Sequence, residues 1–148
     1  MIAVDTNILV YAHRKDSEFH EAARATLRTL AEGTHAWSIA WPSVHEFYSI
    51  VTHPRVYRPP TPPAHAIDQI DAWFASPSLV LLAETPRHWI SLRNLIVEAK
   101  IEGPKVHDAR IAALCLQHGV RELWSADRDF SRFPQITVRN PLVAGAKP

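Results

Sequence analysis

The 148 residues carry sixteen Lys and Arg against fifteen Asp and Glu, a formal charge of +1, with 47% apolar and 21% charged positions. That composition excludes a disordered chain and a fibrous repeat, and the single cysteine excludes an internal disulfide framework. Asp5 interrupts the first apolar run and no basic leader precedes it. The expectation is therefore a cytoplasmic protein without a membrane anchor, folded as one domain over residues 1–148.

Ile2, Ala3 and Val4 have the pattern of a short strand buried on both faces. It stops at Asp5-Thr6-Asn7, and Ile8, Leu9, Tyr11 and Ala12 resume at helical spacing, so a carboxylate stands at a strand exit. Asp16 or Ser17 is placed to cap a helix with Phe19, Ala23, Leu27 and Leu30 on its apolar face, stopped by Gly33. Ala36 to Ala40 reads as a second strand. Trp41-Pro42-Ser43 leads into a helix bearing Glu46, where Ser43 and Glu46 have capping-box spacing. Residues 53–63 contain five prolines with Arg55, Tyr57 and Arg58 among them, a stiff basic loop that serves either as a connector or as a lip offering phosphate contacts and a stacking ring.

Thr61-Pro62 opens a helix with Ile67, Ile70 and Trp73 or Phe74 inward, and Leu79 to Leu82 reads as a buried third strand. Thr85-Pro86 starts a helix containing Trp89, Leu92 and Ile96, with Trp73, Trp89 and Trp124 expected in the core and Trp41 exposed. A helix from about His107 to His118 carries Asp108 in its first turn and Cys115 as a buried thiol. Val120 to Trp124 is a fourth strand that exits at Ser125-Ala126-Asp127-Arg128-Asp129, and Ile136 to Arg139 closes the set. Strands alternating with helices predict an α/β three-layer sandwich, a mostly parallel central sheet flanked by helices.

In such a sheet the strand exits and the helix starts that follow them share the carboxyl edge, where ligands bind. Asp5 and Asp127 end strands there, Glu46 and Asp108 lie in first turns of helices, and Asp129 follows two residues later. Any one of these acids is explained by helix capping. Five on one edge repel one another unless a cation is present. Set apart from these five acids, sixteen cations face ten, a balance of +6 that suits a polyanion. Carboxylates without His or Cys ligand spacing suit Mg²⁺ or Mn²⁺ and phosphodiester hydrolysis by activated water. No Walker loop or Gly-x-Ser-x-Gly occurs.

Four segments in order, Ile2 to Ala12 with Asp-Thr-Asn, the Glu46 helix running into Thr52-His53-Pro54-Arg55, Val106 to Ala113 with His107-Asp108-Ala109-Arg110, and Ser125 to Pro134, resemble a PIN-domain ribonuclease of the VapC toxin type. The resemblance spans Ile2 to about Val143. It implies an Mg²⁺- or Mn²⁺-dependent endoribonuclease acting on tRNA or rRNA, the toxin of a type II pair, restrained by a VapB-like antitoxin and forming a homodimer. It assigns Asp5, Glu46, Asp108 and Asp127 as catalytic metal-binding acids with Asp129 as an auxiliary, and Thr6, Asn7 and Ser125 as the groups that orient them. Arg55, Tyr57, Arg58, Arg110 and Arg128 are the candidate RNA contacts. Two alternatives stand beside this one. A haloacid-dehalogenase-like phosphatase would use Asp5 as nucleophile, but Asn7 replaces its second acid. A non-catalytic RNA-binding or protein-docking domain would keep the acids as helix caps.

Overall fold

A computed structural model of the chain describes residues 1–143. Five strands, β1 (Ile2–Val4), β2 (Trp37–Ala40), β3 (Leu79–Leu82), β4 (Glu122–Trp124) and β5 (Thr137–Arg139), form one sheet in the order β3-β2-β1-β4-β5. All four pairings are parallel. Every strand thus ends at the same edge, and the chain reverses its direction of growth across the sheet at β1. That reversal opens a crevice between the exits of β1 and β4.

Among the described residues six α-helices cover the two faces: α1 (Thr6–His13), α2 (His20–Glu32), α3 (Trp41–Val51), α4 (Pro63–Phe74), α5 (His88–Ala99) and α6 (Val106–Gln117). Alternation along the strands sends side chains to two separate cores. Val4, Trp37 and Ile39 join the helical residues Ile8, Leu9, Phe47 and Trp73, while Ala3, Leu123 and Leu82 join Leu95, Ala112, Leu114, Cys115 and Phe130. Helices α1 to α4 supply the first layer, α5 and α6 the other, so the three-layer α/β expectation holds. Phe47, Leu9 and Leu123 are fully buried, and truncating one of these large apolar side chains to Ala costs about 2–5 kcal/mol.

Several local expectations change. β3 is an edge strand, not a buried one, and Val80 is exposed. Helix α2 starts at His20, because Ser17 Oγ accepts from Phe19 N in a tight turn and Asp16 pairs with Arg14. Helix α4 starts at Pro63 and faces inward through Ala66 and Trp73, leaving Ile67 exposed. Trp89 is 64% exposed, well above Trp41 at 36%, because α5 packs through Leu92, Leu95 and Ile96. The capping box is absent. Helix α3 begins three residues earlier than a Ser43 cap would place it, at Trp41, with Pro42 tolerated in its first turn, so Glu46 lies in the second turn. Ser43 is buried instead, and its hydroxyl has no hydrogen-bond partner among the described residues.

Candidate active site

The amide of Asp5 donates to the carbonyl of Trp124 at 2.9 Å, continuing the β1–β4 ladder by one bond and fixing the acid at the strand exit. Asp5 is only 6% exposed. Burial is the chief reason that its carboxyl is pushed up to about 6; Ser125 and the Thr6 backbone oppose this by hydrogen bonding, and the charges of Glu46 and Asp108 add to it. Ser125 Oγ donates to Asp5 Oδ2 at 2.8 Å and accepts from the Asp127 amide at 3.0 Å and from Asn7 Nδ2 at 3.3 Å. Asn7 Oδ1 also accepts from the Ala126 amide at 3.3 Å. One hydroxyl and one amide side chain therefore lock the exits of β1 and β4 together. Thr6 Oγ1 donates to Glu46 Oε2 at 2.8 Å and draws α3 to the same point. Asn7, spent in this cross-link, has no geometry for the acid/base role that a phosphatase would require.

Asp127 Oδ1 accepts from the Asp129 amide at 2.8 Å and caps a short 3-10 turn, Arg128–Arg132. Asp108 stands in the first turn of α6, its carboxyl raised first by burial and then by the charge of Asp127. One carboxylate oxygen from each of Asp108, Asp127 and Asp129 lies within 4.8 Å of the others. Asp5 and Glu46 lie outside this trio; the charge of Glu46 acts on Asp108, and that of Asp108 on Asp5. Three such carboxylates, with no sulfur or imidazole among them, form a donor set for a hard divalent cation, which removes the repulsion that the chain itself leaves in place. An open cleft of about 520 Å³, lined by Ser125, Asp127, Arg128, Ser131 and Asn140, adjoins them.

The candidate RNA contacts divide. Arg128 lines the cleft and is exposed. Arg110 pairs with Glu84 at 3.4 Å instead of with the acids. Arg55 and Arg58 are exposed, but their loop packs against the far end of α1, roughly 12 Å of helix away from Asp5. Tyr57 is half-buried with the Arg14 guanidinium 4.2 Å over its ring, so that face is taken. Sequence reasoning missed Lys105, which forms an ion pair with Asp129. Its signal was a basic residue three positions before Asp108, a spacing that puts two side chains on one helical face. Cys115 is buried as expected, its thiol pushed up to about 12 by burial, and it is chemically inert.

Comparison with known proteins converges on one family. The PIN domain model matches residues 2–136. VapC ribonuclease Mb2897 of Mycobacterium bovis is 37% identical over 142 residues, 96% of each chain, and ribonuclease VapC48 of Mycobacterium tuberculosis is 31% identical over 138 residues, 93% of this chain and 95% of that one. Among solved structures, VapBC2 from Rickettsia felis bound to a promoter DNA fragment superposes with a TM-score of 0.70 at 20% identity, covering 95% of this chain and 98% of that chain. Mycobacterium tuberculosis VapC20, described as a Sarcin-Ricin loop cleaving toxin, gives 0.68 at 17% identity, covering 95% and 100%.

Proposed function

The chain belongs to the PIN-domain family and, within it, to the VapC ribonucleases, and on that premise we propose that its acid-lined crevice hydrolyses RNA phosphodiester bonds. The observation that carries this is convergence: acids from the β1 exit, α3, the first turn of α6 and the β4 exit, drawn from across the sequence, meet at one edge of a parallel sheet. Capping explains single acids, whereas the raised carboxyls of Asp5 and Asp108 are costly to the fold and are repaid by a bound cation.

Asp108, Asp127 and Asp129 would hold Mg²⁺ or Mn²⁺, with Asp5 and Glu46 completing the negative field. The ion, when bound, stabilises the charge that develops on the attacking and leaving oxygens and eases deprotonation of water. The protein's own contribution is positional. Ser125 orients Asp5, Thr6 orients Glu46, and Asn7 keeps the two strand exits in register. Arg128 is the rim cation best placed for a phosphate.

The chain acts as the toxin of a VapBC pair, with a VapB-like antitoxin as its partner and a homodimer as its working form. Structured RNA, tRNA or rRNA, is the substrate class, which places the protein in the cytoplasm; among the described residues no helix is long and apolar enough to cross a membrane. Incubating purified tRNA and rRNA with the wild type and with Asp5→Asn, in Mg²⁺, in Mn²⁺ and in EDTA, tests the assignment. Discrete cuts by the wild type alone, abolished by EDTA, are expected. Cleavage that persists in the variant or in EDTA would overturn it.

A further inference from the structure

Lys105 occupies a short 3-10 turn, Gly103–Lys105, that abuts α6. Gly103 has φ +57, a backbone state open to glycine, and Pro104 fixes the next φ, so the turn delivers Lys105 in a set direction just before Asp108. Its ammonium pairs with Asp129 Oδ2 and lowers the carboxyl of Asp108 by its charge. Among the described residues it is the only cation paired with any of the five site acids, and both partners remain substantially exposed, at 39% and 42%. An exposed pair of this kind is worth little to the fold and is easily exchanged.

A lysine gains more from phosphate than from one screened carboxylate, and Asp129 gains more from a divalent cation than from an ammonium. Both exchanges proceed together when a cation and an RNA backbone enter the trio. On the ribonuclease reading above, we propose that Lys105 is a phosphate-contacting residue of the cleft, held on Asp129 until a divalent cation takes that carboxylate and then passed to the RNA backbone. Lys105 thereby competes with the cation for Asp129 and couples cation binding to RNA binding. A lysine that merely braced the 3-10 turns would do neither.

Two variants and two binding measurements test this. Mn²⁺ affinity is read by calorimetry without RNA, and affinity for labelled bulk tRNA is read by filter retention in Ca²⁺. Lys105→Gln is expected to bind Mn²⁺ at least about threefold more tightly than the wild type, having lost a competing charge. It should hold tRNA about tenfold less tightly, the loss of one charge-assisted contact. Lys105→Arg should return both values toward the wild type. Weaker or unchanged Mn²⁺ binding in Lys105→Gln, or unchanged tRNA retention, would overturn the assignment of Lys105 while leaving the acid site standing. A wild type that bound no Mn²⁺ would overturn both.

Discussion

The crevice between β1 and β4 and the proline-rich loop at residues 53–63 are both rich in polar and charged side chains, yet they treat charge in opposite ways. Where the loop meets the end of α1 the buried charged and polar groups find partners within the chain, while Arg55 and Arg58 stay exposed on the outer side. Arg14 lies over Tyr57 and forms two hydrogen bonds to Asp16, at 2.9 and 2.6 Å, while His13 sits between Gln69 and Thr61 at 3.1 Å from each. At the crevice the hydrogen bonds are just as dense, but they bind the acids to hydroxyls and amides and leave negative charge in excess, with Lys105 as its one paired cation among the described residues. The difference separates two kinds of polar cluster. One is closed and structural; the other is held open for a ligand of the missing sign.

The sharpest way to break that contrast is Asp5→Asn. It should reduce RNA cleavage at least about a thousandfold, the several kcal/mol that an acidic metal site contributes to the transition state. The same variant should stabilise the fold. The Asp5 carboxyl, at about 6 when folded against 3.8 ordinarily, binds its proton more tightly in the native state. Stability is therefore full below pH 3.8 and is lost as pH rises through about 6. In EDTA at pH 7, Asp5→Asn should recover up to about 3 kcal/mol, seen as a higher melting temperature that merges with the wild-type value near pH 4. An unchanged melting temperature at pH 7 would mean that the crevice is as closed as the loop.

Ser125→Ala probes the same side with a smaller effect. It removes the donor to Asp5 and the acceptor for the Asp127 and Asn7 side of the crevice, and Mn²⁺ affinity by calorimetry should fall about tenfold with the fold intact. Tyr57→Ala probes the other side and is the mildest. It should cost about 1–2 kcal/mol in urea unfolding by exposing Arg14 and the packing around it, while cleavage by the folded fraction stays at the wild-type rate. A loss of RNA affinity in this variant would return the loop to the substrate path.

Much of this contrast was legible in the residues. Asp5, Asp108 and Asp127 stand where an apolar run gives way to a polar tip or a helix start, and alternating strands and helices put those places on one edge. Glu46 was found for an incomplete reason. The Ser-x-x-Glu spacing suggested a cap, but Trp41-Pro42 already opens the helix, and the carboxylate is instead tied to Thr6, forty residues away in sequence. Tyr57 was read as available because composition records a ring and not what covers it; Arg14 lies on a different element altogether. Trp89 was assigned to the core by its apolar character, whereas the face that α5 turns inward is set by Leu92, Leu95 and Ile96. Lys105 escaped because an ion pair with Asp129 joins two turns whose approach depends on the whole sheet being formed.

The bond from Ser125 to Asp5 spans 120 residues of sequence. Contacts of such long range form late, after the loops between them have closed. Asp5 is made before Ser125, Asp127 and Asp129, so a growing chain carries no assembled crevice until β4 and the turn after it have been synthesised. The crevice is thereby among the last parts of the fold to be completed, after the strands and helices that bracket it.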